Sequence, residues 1–251
     1  MIKNSTLFIL LFLTLFAANQ KSEARPIISG ISTNEINIDT KFNGTEILLF
    51  GAKGDAGDIL IAVRGPKKNF LITKKEKFLG IWHNGNRVKL KNSYSYYSFF
   101  SNSGDKILEN DIAKDLELGG KNLKFYVSGN EESRKNKNEF EMEFVSNLEQ
   151  QKLYSINGNV IDFLDESLFK VILKFPKNIA RGIYNVEIYL LDDNNLVSFQ
   201  TIPIYVNQVG FSAQILDFAY QEPFLYGLLS VIIALVVGWL ANYLFARFVG
   251  K

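Results

Sequence analysis

The residues able to do chemistry in this 251-residue chain are few and scattered. His83, its one imidazole, stands beside Trp82 and has the type needed for a general base or one ligand of a site. Its place at a hairpin reads more simply as a surface turn. Asp55 with Asp58, or Asp192 with Asp193, could face a hard cation, but neither pair follows the spaced acidic loop of an EF-hand, and turn chemistry accounts for both. Asp162, Asp165 and Glu166 form a carboxylate cluster. Paired carboxylates serve acid–base work, yet these sit at a strand end, where solvated charge is usual. No G-x-S-x-G elbow, Walker loop or dinucleotide fingerprint occurs. With no cysteine, the chain has no disulfide, Cys-type zinc site, thiol-linked haem or cysteine nucleophile, and one His excludes a multi-His metal site. The expectation is a non-enzyme with no catalytic, cofactor-binding or metal-binding residues.

Two patches remain. Lys67, Lys68, Lys74, Lys75 and Lys77 make a local basic stretch. Solvated hairpin edges that resist aggregation account for it, with contact to anionic lipid or a partner as the alternative. Tyr94, Tyr96, Tyr97, Phe99 and Phe100 could stack on a sugar or peptide, but core packing is the better reading. Arg64, Trp82 and His83 stand as candidates for a surface contact. A formal net charge of +2, from 28 basic and 26 acidic residues, argues against nucleic acid as a partner.

The elements that would hold these residues are mostly strands. Alternation bounded by turn residues predicts strands at 35–39, 47–50, 59–63, 70–73, 78–83, 87–90 and 94–100. Asn84-Gly85 reads as the hairpin turn between two of them. Leu108, Ile112 and Leu116 recur every four residues until Gly119-Gly120, which predicts a helix. Residues 129–138 read as a charged loop. Phe140, Phe144 and Leu148 predict a second helix, although 139–144 also alternates by two. Strands return at 160–164, 169–175, 184–190 and 197–206, with a turn at 192–195. Gly182-Ile183-Tyr184 looks like a tyrosine corner. The expected fold is mainly β. It has two immunoglobulin-like β-sandwich modules, 25–103 and 155–210, separated by a helical insertion at 104–154. The last third is either a second module or the second half of a shared one.

Both ends point to a membrane. Lys3 followed by the apolar run 7–18 reads as a signal peptide of residues 1–24, with Ser22 and Ala24 at the −3 and −1 positions of a cleavage site. An uncleaved anchor is the alternative. Residues 224–245 run for 22 positions without a charge, a length of about 33 Å that crosses a hydrocarbon core. Pro223 suits the first helical turn, and Tyr226, Trp239 and Tyr243 suit the interfaces. No Lys or Arg lies between Gly182 and Ala246, whereas Arg247 and Lys251 follow the span. Positive charge stays inside, so the segment 246–251 is expected in the cytoplasm and the bulk of the chain in the periplasm, joined by a juxtamembrane segment at 211–223. Ser230, Ala234, Gly238 and Asn242 recur every four residues, a candidate face for packing against another helix.

One resemblance covers nearly the whole mature chain. It is carried by Gly44-Thr45-Glu46-Ile47-Leu48-Leu49-Phe50-Gly51-Ala52, Val63-Arg64-Gly65-Pro66, Gly80-Ile81-Trp82 and Leu168-Phe169. Further along it rests on the stretch from Pro176 to Tyr184 and on Val209-Gly210-Phe211 leading to Leu225-Tyr226-Gly227-Leu228. In order and spacing these resemble an alphaproteobacterial transmembrane protein family of unknown function. The resemblance implies a one-span protein of the inner membrane with an exported domain, and an association with a neighbouring sulfite-exporter-like permease. It supplies no catalytic residues. Two functions follow: an accessory module for a membrane partner or for self-association, or a periplasmic ligand-binding domain.

Overall fold

A computed structural model describes residues 27–54, 57–103, 105–129, 136–192 and 195–248. The expected signal peptide at 1–24, Asp55 and Asp193 lie outside the described residues, as does most of the charged loop. In β3 (Thr45–Ala52), Ile47 and Leu49 alternate with exposed neighbours and are fully buried. In β11 (Leu168–Phe175), Phe169, Val171, Leu173 and Phe175 do the same. These two strands pair antiparallel along their full length, flanked by β1 (Ile28–Ile31) and β10 (Asp162–Phe163), and make a four-stranded sheet with one apolar inner face.

The six-stranded sheet is buried on both faces at its centre. Its order is β2 (Glu35–Ile38), β13 (Asn195–Gln208), β12 (Gly182–Asp192), β4 (Asp58–Arg64), β7 (Tyr97–Ser101) and β9 (Tyr154–Val160). The register puts Val63 opposite Val186 and Ile61 opposite Ile188 on one face, and Ala62 opposite Glu187 and Leu60 opposite Tyr189 on the other. The first face packs on the four-stranded sheet: the Tyr96 ring stacks on Phe175 at 5.3 Å, and Phe175 meets Tyr184 edge-on at 5.8 Å. The second face is covered by the stretch 105–123, which holds a 3-10 turn, the short helix α1 (Asp111–Asp115) and a second 3-10 turn. A strand read as a continuous apolar run is buried in this way when layers lie on both sides.

β3 pairs with β11 and β4 with β12, so each large sheet takes strands from both 25–103 and 155–210. The last third completes sheets that the first third begins. The chain is thus mainly β, with several sheets and one apolar C-terminal helix. The corner at the start of β12 is present: the Tyr184 hydroxyl donates to the Ala180 carbonyl four residues upstream at 2.8 Å.

A third sheet holds a long hairpin, β5 (Lys67–Phe78) with β6 (Ile81–Tyr94), and the short strand β8 (Tyr126–Ser128) against β6. Here the sequence expectation is corrected. The turn lies at Leu79-Gly80, not at Asn84-Gly85, and Phe78 and Ile81 are its closing pair. Both turn residues have positive φ, 49° and 83°, which lets a two-residue loop follow the twist of the strands. Asn84-Gly85 sits inside β6: Asn84 pairs with Lys75, and the register shift between there and the pairing of Thr73 with Arg87 places Gly85 in a bulge instead of a reversal. The helix α2 (Lys137–Gln150) forms as its spacing predicts, burying Phe140, Phe144 and Leu148 on one side. After β13 come α3 (Phe211–Gln221) and α4 (Pro223–Phe248).

Candidate functional site

The structure separates the three surface candidates. Arg64 is an interior residue, 8% exposed, whereas Trp82 and His83 lie near the outer end of the β5–β6 hairpin. Arg64 ends the doubly covered strand β4, so its guanidinium turns under the 105–123 stretch. There it donates to the Glu187 carboxylate and to the Leu116 carbonyl, and to the Glu117 carbonyl at 3.3 Å. Glu187 also accepts from the Tyr189 hydroxyl at 2.7 Å. The Tyr97 hydroxyl donates to the Glu117 carbonyl at 3.1 Å and accepts from the Gly119 N–H at 2.8 Å. Burial works most strongly against the Arg64 charge, but Glu187 together with Tyr97, Tyr94 and Tyr189 outweighs it, and the pKa lies above the ordinary arginine value. Burial first, then the bond to Glu187, raises Tyr189. Burial raises Tyr97 too, against the pull of Arg64. The cluster pins the covering stretch to the sheet. Its opposite charges face each other and tie the two layers together.

The sequence signal for this lock was available: a charged residue closing an uninterrupted apolar strand. Its partner was not legible, because Glu187 stands among alternating residues of a strand 123 positions away.

The carboxylates lie at the surface. Asp162 is exposed at the edge strand β10, and Asp165 accepts from its neighbour's N–H, that of Glu166, at 2.6 Å. Among the described residues no three acidic or imidazole groups gather where a metal could sit. Tyr96, Tyr97, Phe99 and Phe100 are core residues. On α4, Ser230 donates to the Tyr226 carbonyl of its own helix at 2.8 Å, and Ala234, Gly238 and Asn242 stand exposed on the same line.

Two surface features stand out. One is a groove of about 730 Å³ at the β7–β9 edge of the six-stranded sheet. Tyr97, Phe100, Tyr154 and Phe175 line its floor, and Glu46, Lys152 and Lys174 stand at its rim. The other is α4 itself. It carries 25 residues apolar enough to span a membrane, and none of its most apolar window is buried within the protein. Trp239 and Tyr243 stack at 6.0 Å toward its C-terminal end, beside Arg247, whose guanidinium donates to the Tyr243 hydroxyl at 2.9 Å.

Comparison with known proteins agrees with this helix. No curated protein and no solved structure matches the chain. Residues 26–247 match a family model described as "Putative transmembrane protein (Alph_Pro_TM)". That span takes in every described strand and nearly all of the apolar helix, so the chain belongs to this transmembrane protein family.

Proposed function

We propose that this protein is a non-catalytic accessory module of the bacterial inner membrane. The β-rich domain stands in the periplasm, α4 crosses the bilayer, the C-terminus is cytoplasmic, and a membrane protein such as a permease is the partner. The observation that supports this most is the bare surface of α4: the domain covers none of its apolar window, which leaves it to lipid and to another helix. Little hydrophobic drive exists between helices in lipid, so close approach through small residues decides association. Ala234 and Gly238 supply such a surface.

The test uses tagged full-length protein extracted in mild detergent. Recovery of a specific membrane protein, weakened by Gly238→Ile and unchanged by Leu235→Ile on another face, is the expected result; the loss corresponds to about 1–2 kcal/mol. Equal recovery with both variants reduces α4 to a tether. A phosphatase fused after Lys251 should be inactive in cells, and the mature chain should begin at Arg25.

The second reading, a periplasmic ligand-binding domain, is favoured by the aromatic-floored groove. A small solute that raises the melting temperature of the purified protein alone, with Tyr154→Ala abolishing the shift, would select it.

A further inference from the structure

The β5–β6 hairpin carries a charge pattern unlike the rest of the chain. From Lys67 to Lys91 it has eight Lys or Arg residues and one acidic residue, Glu76, a net of +7 in a chain whose total is +2. Its far end is apolar. Phe78, Leu79, Ile81 and Trp82 are all exposed, Leu79 at 86% and Trp82 at 66%. Leu79 also holds a positive φ of 49°, a conformation that suits Asn, Asp or Gly and costs a leucine. Stability alone would not place an exposed leucine there.

The hairpin is built to reach outward. Its inner half is fixed: Val88 and Leu90 are fully buried, Phe70 meets Phe144 edge-on at 4.9 Å, and β8 pairs only with residues Lys89 to Lys91. Beyond these, among the described residues, the two strands run on with no third strand, and α2 reaches them through Glu139, which accepts from Lys74 at 2.8 Å. A 12-residue strand extends about 40 Å. Its root has a defined place. β4 passes into β5 through Gly65 and Pro66 while β6 passes into β7, and Gly65 and Ser95 keep the ladder bonded at 2.8 and 3.0 Å. Arg64 pairs with Asn185, and Gly182 in turn pairs with Val206. A side chain added at Gly182 would meet Pro66 at 3.0 Å. The hairpin therefore leaves the six-stranded sheet at the same end from which β13 departs toward α3 and α4.

We propose that the tip of this hairpin, Phe78 to Trp82, is a second membrane contact, which inserts into the interface of an anionic phospholipid bilayer while the flanking lysines and Arg87 face the headgroups. The charge sign, the aromatic and aliphatic tip and the shared end with the membrane helix all fit that occupant. The contact holds the domain against the membrane at two points, α4 and the tip. It rests on α4 lying in the bilayer and is independent of which partner α4 engages.

The chain has two tryptophans, so Trp239→Phe leaves Trp82 as sole reporter. Full-length Trp239→Phe protein is placed in nanodiscs of phosphatidylcholine or of phosphatidylcholine with phosphatidylglycerol; incorporation itself reports on α4. In the anionic discs, Trp82 emission should shift to the blue and be quenched by brominated acyl chains, and high salt should reverse both. Lys75→Glu with Arg87→Glu should abolish the quenching while the near-ultraviolet dichroism of the core persists. Emission from Trp82 that stays water-like and unquenched in anionic discs overturns the proposal. So does quenching that is equal in neutral and anionic discs.

Discussion

The two strands that run from β4 into β5 and from β6 into β7 form one ribbon with two opposite fates. Within the six-stranded sheet, Ile59, Leu60, Ile61, Ala62 and Val63 are fully buried. At the other end Phe78, Leu79, Ile81 and Trp82 are open. The residue types are the same, aliphatic and aromatic, and the backbone pairing runs from one end to the other through two register shifts. The difference is coverage: the inner end has a sheet on one face and the 105–123 stretch on the other, and the outer end has neither. Charge separates the ends more clearly than hydrophobicity does. The inner end holds one guanidinium, buried with its carboxylate, and the outer end holds a shell of unburied cations.

The largest break in this comparison is expected at that guanidinium. Glu187→Ala leaves the Arg64 charge buried without its partner and should cost about 3–5 kcal/mol, read by denaturant unfolding of the full chain in detergent. The double variant Arg64→Met with Glu187→Leu should lie nearer the wild type than Glu187→Ala does, because no uncompensated charge remains. Equal loss in single and double variants would show that the bonds to the Leu116 and Glu117 carbonyls, not the ion pair, hold the covering stretch.

Equal side chains at the two ends should then behave unequally. Ile61→Ala removes packing from a site that cannot collapse and should cost about 2–5 kcal/mol. Ile81→Ala at the tip should stay within about 0.5 kcal/mol. A cost at Ile81 close to that at Ile61 would mean that the tip folds back onto the domain in solution.

Alternation carried most of the architecture. Phe169, Val171, Leu173 and Phe175 announce a half-buried strand, and Phe140, Phe144 and Leu148 a helix, because each burial face repeats at the period of its element. Pairing was less legible, since strands that lie together are distant in sequence: Thr45 meets Phe175 in the ladder. The tip was misplaced for a local reason. Asn84-Gly85 has the stronger turn chemistry, yet a reversal at Leu79-Gly80 extends the ladder, pairs Asn84 with Lys75 and leaves Gly85 in a bulge. Nothing local to Arg64, a lone charge beside Gly65-Pro66 at the end of β4, tells that it is buried. Only the covering stretch, whose pattern says helix but not where it docks, makes that end an interior.

A smaller effect is expected at the corner where β12 begins. Tyr184→Phe removes one bond, to the Ala180 carbonyl, and should cost about 1 kcal/mol. The same hydroxyl sets an alkaline limit. Burial pushes Tyr184 up to about 12, and burial raises Tyr96, Tyr97, Tyr154 and Tyr189 as well. The folded state favours the neutral phenols, so their contribution is complete below the ordinary value of about 10 and is lost as pH rises through the folded values, Tyr184 going at about 12. Tyrosinate absorbance should therefore show part of its rise only together with unfolding. A full rise before any loss of the folded dichroism would place these phenols in water.

The smallest effect is the one that separates the two ends most sharply. Leu79 sits at a positive φ with its side chain in solvent. Asparagine tolerates that conformation and loses no packing there, so Leu79→Asn should leave stability unchanged or raise it by up to about 1 kcal/mol. No residue of the buried end can be exchanged for a polar one with that result. If the tip exists for contact and not for folding, the same variant should weaken attachment of the domain to anionic bilayers while its unfolding midpoint holds or rises. A fall in the midpoint for Leu79→Asn would show instead that the leucine packs within the protein, and the contrast between the two ends of the ribbon would then be one of degree.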